Sequence, residues 1–219
     1  MAYCRGSKDD YGRWAQVTDD EGWSWNSLQP YIHKIKNLSP SADNPSIIDE
    51  IDVSIHGSGG PVSFSLPGQL LPTDEHAINT SSELSAEFPF NLDYSSGDTI
   101  GVGWTQAMIA KGQHVTSAAA YLIPTMSRPN LDIIANSQVT KILQTGTKDG
   151  QPVFSAIQFY TVGDSEIHTI NASKEIIISA GAIKTPQLLM LSGIGEKDYL
   201  STLGIDVRVD VPDVGQNLQ

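Results

Sequence analysis

The second half of the chain has the hydrophobic pattern of β-strands. Apolar and polar residues alternate over 131–135, and apolar positions continue over 139–143, beyond an expected bend at Asn136. Two more runs of strand-forming residues follow, over 153–162 and 167–170, and the turn sequences K-D-G and G-D-S precede them. Strands joined by tight turns pair with their neighbours, so this region predicts an antiparallel β-meander.

Three consecutive isoleucines, 176–178, follow the predicted meander. An apolar run without alternation is typical of a strand buried on both faces of a parallel sheet. The small residues Ser179, Ala180 and Gly181 then end this predicted strand. Because these side chains are small, a ligand could approach the backbone closely at this point.

A helix is predicted directly after the small residues. Thr185 is the candidate N-cap and Pro186 fits the first helical position. The helix then continues over 187–192, with apolar Leu188, Leu189 and Leu191, until Gly193 ends it. The N-terminus of a helix offers unpaired N–H groups that can bind a phosphate. Units of strand, turn and helix also occur in many proteins that bind no ligand, so this pattern alone does not specify one.

The first half of the chain predicts fewer regular elements. Residues 1–38 mix charged and aromatic side chains, which indicates an ordered loop leading to a helix from Leu28 that Ser27 caps. Alternation over 62–66 predicts a half-buried strand, and apolar residues at helical spacing within 73–88 predict a surface helix.

The composition is that of a globular protein with one large domain or two small ones. The chain has 219 residues, and its 25 acidic against 13 basic residues give a net charge of −12. This balance argues against nucleic acid or an anionic membrane as a partner, because both favour a basic surface. No apolar run approaches the length that spans a bilayer, and the single cysteine, Cys4, excludes an internal disulfide.

The histidines form no catalytic or metal-binding pattern. All five are scattered, without a spacing such as H-E-x-x-H, and each is predicted to be a surface or loop residue. The run H-G-S-G-G at 56–60 is similar to the oxyanion-hole loop of esterases, but the sequence contains no G-x-S-x-G elbow. No catalytic or metal-ligating residue is therefore assigned.

Three segments together identify a family. The string G-A-x-x-T-P-x-L-L-x-L-S-G-I-G at 181–195 resembles the second signature of the glucose–methanol–choline (GMC) family of FAD-dependent oxidoreductases. The string M-x-Y-x-R-G-S-x-x-D-Y-x-x-W-A at 1–15 resembles the tail of the first signature, whose loop passes over the flavin. The string S-R-P-N-L-x-I-x-x-N-x-Q-V-T-K-I at 127–142 resembles a segment whose valine touches the adenine of FAD.

The resemblance implies FAD as the cofactor and a set of residues close to it. These residues are Met1, Ala2, Val139, Ala180 and Gly181. On composition alone, Val139 would be interpreted as an ordinary core residue.

The implied fold class is α+β / α/β, with a partial Rossmann-like FAD-binding domain that includes a β-meander, and part of an antiparallel-sheet substrate domain. The implied organisation is 1–40 as the flavin-covering loop and helix, 41–126 as part of the substrate domain, and 127–219 as the meander, core strand and helix of the FAD domain.

The resemblance also implies a reaction. The overall pattern is most similar to the aryl-alcohol oxidase branch known from fungi, so the implied substrate is a primary alcohol, with aromatic alcohols among the candidates. The alcohol passes a hydride to the flavin, and O₂ or a quinone then accepts the electrons. The G-x-G-x-x-G motif and the catalytic histidine of the family match nothing in 1–219, so the chain is interpreted as an internal fragment.

Two other interpretations stay open. The chain could be a truncated or degenerate paralogue that lacks catalysis and acts as a binding or structural protein. It could also be a different flavoprotein or nucleotide-binding enzyme that shares only the strand–turn–helix, although the match at 1–15 argues against this. Glycosylation sequons at Asn79 and Asn171 permit secretion, and an extracellular location is the expectation.

Overall fold

The computed structural model describes residues 2–41, 50–69, 71–164 and 166–218. The chain divides into two compact units, Met1–Leu131 and Asp132–Gln219. Both units combine helices with small sheets, which confirms the predicted mixed α and β class. Within the described ranges, none of the helices has the length and apolar character needed to cross a lipid bilayer.

The first unit contains three α-helices and two small sheets in its described part. The helices are α1 (Lys8–Thr18), α2 (Trp25–Ile35) and α3 (Pro72–Glu83). Strands β1 (Lys36–Leu38) and β2 (Val62–Phe64) pair in parallel, and β3 (Ile109–Ala110) and β4 (Gln113–His114) pair antiparallel. The strand predicted at 62–66 and the helix predicted within 73–88 are thus confirmed as β2 and α3.

Helix α1 lies in a region where the sequence predicted a loop. Ser7 Oγ accepts a hydrogen bond from the Asp10 N–H (3.2 Å), and Asp10 Oδ2 accepts one from the Ser7 N–H (2.9 Å). This reciprocal cap satisfies two backbone donors at the start of the helix. The predicted cap of α2 is also wrong, because Ser24 caps this helix and accepts a bond from the Ser27 N–H.

The hydrophobic core of the first unit surrounds β2. Ile51, Phe64 and Leu66 are buried together, and Tyr3 and Trp104 pack against them. The ring of Phe64 is fully buried, and the Tyr3 ring centroid lies 5.8 Å from it. The N-terminal segment is therefore held against the core by an aromatic contact.

The second unit is built on the predicted meander. Strands β5 (Ser137–Lys148), β6 (Gln151–Thr161) and β7 (His168–Asn171) pair antiparallel in the order β5-β6-β7. Asp149 and Gly150 have φ values of 52° and 79°, as a two-residue type I′ hairpin turn requires. Asn136, with φ of 52°, forms the expected bend before β5.

Two predicted strands are wrong. Residues 131–135 and 176–178 are in no strand of the structure, and Ile177 is 79% exposed. A strand requires the backbone of a neighbour to pair with, and no described segment pairs with either run. The hydrophobic pattern alone could not reveal the missing partner.

Helix α4 (Gly181–Leu191) begins earlier than the sequence predicted. Thr185 and Pro186 lie inside the helix and not at its N-cap and first position. The helix does end at the predicted place, because Gly193 has φ of 84° and a side chain there would collide with the Asp206 carbonyl. Its last turn is fixed to β5, since Ser192 Oγ accepts a hydrogen bond from the Ile142 N–H at 2.8 Å.

The chain after α4 adds one helix and one strand pair. These elements are α5 (Lys197–Thr202), β8 (Ile194–Gly195) and β9 (Val209–Asp210), and the two strands pair in parallel. Leu200 on α5 is fully buried.

Candidate functional site

A groove in the second unit contains two of the residues predicted to bind FAD. Val139 lies on β5 and Ala180 immediately precedes α4, and both line a cavity of about 510 Å³. Tyr160 from β6 and Lys184 from α4 also line it. A groove with both polar and apolar walls, one aromatic ring and one cation suits a nucleotide, whose base is flat and whose phosphates are anionic.

Gly181 occupies the first position of α4, next to Ala180. Its φ is 89°, and no heavy atom lies within 4 Å of the position that a Cβ would take. The backbone is therefore open at this point, and a side chain would fill the space through which a ligand approaches.

The N-terminus of α4 is available to an anion. No side chain caps this helix, and Thr185 Oγ accepts its hydrogen bond from the N–H of Ala180, which precedes the helix. The first N–H groups of a helix have no intrahelical acceptor and carry the positive end of the helix dipole. The residues present thus fit the phosphate and adenine parts of FAD.

Ala2, the other described residue predicted to contact FAD, belongs to the first unit. It forms an antiparallel bridge with Ala107, and the next N–H, of Tyr3, donates to the Gln106 carbonyl at 2.8 Å. The position of Ala2 is thus set by the segment around Gln106. Met1, also predicted to contact FAD, lies outside the described residues.

A cluster of hydrogen-bonded polar side chains is buried in the first unit. His56 Nε2 and Asp93 Oδ2 are 2.6 Å apart, and both side chains are at most 1% exposed. Asp93 Oδ1 accepts hydrogen bonds from Gln106 Nε2 at 2.6 Å and from the Ser95 N–H at 2.8 Å. Ser95 Oγ donates to Gln106 Oε1, so the polar atoms satisfy one another.

The hydrogen bonds in this cluster control its charge. Burial acts to raise the pKa of Asp93, but the hydrogen bond from His56 and the charge of His56 when it is protonated, together with bonds from Ser95 and Gln106, outweigh it and lower that pKa. Burial lowers the pKa of His56, although Asp93 opposes this effect. Asp93 is therefore ionised at neutral pH and His56 is neutral.

Arg5 supplies the matching positive charge. Its guanidinium donates to Gln29 Oε1 (2.9 Å), the Ser95 carbonyl (3.1 Å) and the Ile55 carbonyl (3.1 Å). Arg5 Nε is buried without a hydrogen-bond partner. Arg5 thus joins the N-terminal segment to helix α2 and to the loops at 55 and 95.

Sequence reasoning missed this cluster. His56 was predicted to be a surface or loop residue, but its side chain is fully buried. No local spacing reveals the pairing, because His56 and Asp93 lie on separate segments. The H-G-S-G-G run contained the only signal, since glycines next to a histidine permit close backbone packing. A Cβ on Gly57 or Gly60 would collide with the backbone around His33 or Ile35.

The fold and the groove define a mixed α and β protein with a site suited to a nucleotide cofactor. A family model described as GMC oxidoreductase matches residues 1–219. The chain belongs to the GMC oxidoreductase family, which confirms the resemblance seen in the sequence.

Individual relatives agree with this assignment. The chain is 39% identical over 219 residues to pyranose dehydrogenase 3 of Leucoagaricus meleagris, with 100% of this chain and 36% of that protein covered. It is 36% identical to mitochondrial choline dehydrogenase of Homo sapiens, with 100% of this chain and 34% of that protein covered. The chain therefore spans about a third of the length of the curated relatives it matches.

Solved structures show the same similarity. An FAD-dependent oxidoreductase from Chaetomium thermophilum aligns with a TM-score of 0.83 and 33% identity, over 97% of this chain and 36% of that one. A fungal aryl-alcohol oxidase aligns with a TM-score of 0.83 and 27% identity, over 98% of this chain and 36% of that one. The family and these structural neighbours are FAD-dependent, which supports FAD as the cofactor.

Proposed function

We propose that this chain supplies FAD-binding elements of an enzyme that oxidises CH–OH groups. Bound FAD would accept a hydride from a carbon that carries a hydroxyl group. The substrate is a primary alcohol, with aromatic alcohols among the candidates, and O₂ or a quinone accepts the electrons. The relatives named pyranose dehydrogenase, choline dehydrogenase and aryl-alcohol oxidase support a CH–OH donor.

The observation that carries this proposal is the groove at the start of α4. Val139 would contact the adenine, and Ala180 and Gly181 would let the diphosphate approach the free N–H groups of the helix. Ala2, and Met1 before it, would contact the flavin from the N-terminal segment. Residues 1–40 and 127–219 would then belong to the FAD domain, and 41–126 to the substrate domain.

FAD binding tests the proposal directly. Replacing Gly181 by aspartate adds a side chain and a negative charge at the helix N-terminus, where the diphosphate would lie. We expect FAD to bind about 10- to 100-fold more weakly, because the new carboxylate repels the phosphates and competes for the same N–H groups. The affinity is measured by titrating the chain into FAD and following flavin fluorescence.

Gly163 offers a matched control for this variant. It has a φ of 94°, compared with 89° for Gly181, and no heavy atom within 4 Å of its Cβ position, but it lies in the turn after β6. Gly163→Asp carries the same conformational cost and the same charge, so it should bind FAD like the unmodified chain. Equal affinities of the two variants would contradict the assignment of the groove.

A further inference from the structure

Lys36 is a fully buried lysine at the start of β1. Its Nζ lies 4.6 Å from the centre of the Tyr3 ring and 4.5 Å from that of the Phe64 ring. The atom is also 3.5 Å from His56 Nδ1. Among the described residues, no carboxylate oxygen lies within ion-pair distance of Lys36 Nζ.

The contacts of His56 define the direction of the hydrogen bonds. Asp93 is an acceptor, so the short contact requires that His56 Nε2 carries the proton. In neutral imidazole the other nitrogen, Nδ1, is then an acceptor, and Lys36 Nζ is the group placed to donate to it. Lys36, His56 and Asp93 therefore form one connected relay.

Among the described residues, the charges of the cluster balance when Lys36 is neutral. Arg5 provides one positive charge and Asp93 one negative charge, so a proton on Lys36 adds a second buried cation to this described set. Burial, with a further contribution from Arg5, lowers the pKa of Lys36 to about 7. The other titratable groups facing this site are His56, Tyr3, whose pKa is raised by burial, and the exposed Cys4.

The relay leads to the segment that would contact the flavin. Asp93 holds the side chain of Gln106 at 2.6 Å, and the Gln106 carbonyl accepts the Tyr3 N–H at 2.8 Å. Ala107, the next residue, bridges to Ala2. The Tyr3 ring also contacts Lys36 directly. Lys36 is therefore connected to this segment both by this contact and by the hydrogen bonds through His56, Asp93 and Gln106.

We propose that Lys36 is a positioning residue for the segment 2–5, and that uptake of a proton by Lys36 loosens this segment and weakens flavin binding. An ammonium group on Lys36 is costly because the side chain is fully buried, and the attraction of the Tyr3 and Phe64 rings offsets only part of this cost, so the packing around Tyr3 is less stable when Lys36 is protonated. The link to flavin binding rests on the proposed function. The link between Lys36 and the segment 2–5 does not depend on the proposed function, because it rests on contacts within this chain.

The sign of the pH effect follows from the two states of the chain. Unfolded Lys36 has its ordinary pKa of 10.5, so between about pH 7 and 10.5 unfolding takes up a proton. Raising the pH within this window therefore favours the folded state. The unfolding constant should fall by up to about tenfold per pH unit from pH 7.5 to 9.5.

The test compares Lys36→Met with the control Lys34→Met in the full-length protein. Lys34 is exposed on α2, two residues away, so its replacement removes a charge without changing the relay. Urea unfolding of the unmodified chain and of Lys34→Met should show the same dependence on pH, and Lys36→Met should lose it. Equal pH dependence in all three chains would overturn the proposal.

Hydrogen exchange reports on the segment itself. Protection of the Tyr3 N–H, relative to its intrinsic exchange rate, should rise from pH 6.5 to 8.5 in the unmodified chain and stay constant in Lys36→Met. The Leu84 N–H, which donates to the Thr80 carbonyl at the end of α3, should not respond and serves as the internal reference. If the protection of the Tyr3 N–H has the same pH dependence in Lys36→Met as in the unmodified chain, Lys36 does not position the segment.

Two further measurements separate the parts of the proposal. NMR titration of the lysine side chains in the unmodified chain needs no variant, and a Lys36 amine that titrates above pH 9.5 would refute the relay. FAD titrations should give an affinity about fivefold or more higher at pH 8.5 than at pH 6.5, and no difference in Lys36→Met. If no FAD binds at any pH, the proposed function fails, while Tyr3 exchange still decides the role of Lys36.

Discussion

Replacement of Asp93 by alanine is expected to lower the free energy of unfolding by about 3–5 kcal/mol. The carboxylate accepts hydrogen bonds from His56, Gln106 and the Ser95 N–H, and also from the Asp52 N–H at 3.2 Å. Alanine leaves these donors buried without an acceptor and leaves Arg5 without its counter-charge. Urea unfolding at pH 7 measures the loss, since Asp93 is ionised there.

Two further variants show whether the stability lost in Asp93→Ala comes from the burial and the charge of the carboxylate. Asp93→Asn keeps the shape of the side chain and one acceptor oxygen, so it should cost less than alanine. Glu87→Ala removes a carboxylate from an exposed position, and its effect should stay within about 0.5 kcal/mol. A cost below about 1 kcal/mol for Asp93→Ala would contradict a central role of this carboxylate.

Replacement of Phe64 by alanine is expected to cost about 3–5 kcal/mol of stability. The ring is fully buried in the core of the first unit, and it contacts Tyr3 and, at 4.9 Å between ring centres, His56. Alanine loses the transfer energy of the ring and leaves a cavity under the N-terminal segment. Because Tyr3 packs on this ring, the Tyr3 N–H should also exchange faster in the variant.

Phe88 provides the comparison for this prediction. Its side chain is 47% exposed, so Phe88→Ala should lower the free energy of unfolding by less than about 1 kcal/mol. Phe64→Leu keeps most of the buried volume and should lie between the two. Similar losses for Phe64→Ala and Phe88→Ala would show that the first unit does not depend on this core.

The meander was predictable because its signals are local. Each strand has its own apolar pattern, and the turn at Asp149-Gly150 needs only residues that tolerate positive φ. The family was equally readable, because three strings of residues match its signatures along the chain. The resemblance also indicated Val139 and Ala180, which line one groove. Whether Val139, Ala2 and Gly181 bind FAD stays a prediction.

The two wrong strands have one physical cause, since a strand depends on pairing with another part of the chain, whereas the caps of α1 and α2 are formed by residues close in sequence. The isoleucines at 176–178 have the composition of a buried strand but no pairing partner among the described residues. Helix α4 starts at Gly181, although Thr185-Pro186 is a good local start signal, because Gly181 adopts a conformation that glycine tolerates. Propensity sets what a segment can form, and neighbours select among those options.

The relay of Lys36, His56 and Asp93 shows the same limit most clearly. Each residue looks ordinary in its own segment: a lysine after a helix, a histidine in a glycine-rich loop and an aspartate in a polar loop. Strand sequence, turn chemistry and family signatures could be read along the chain because they depend on residues close together. The shifted pKa of Lys36 could not be predicted from the sequence. The burial and the charges that cause the shift come from segments that only the folded chain brings within hydrogen-bond distance.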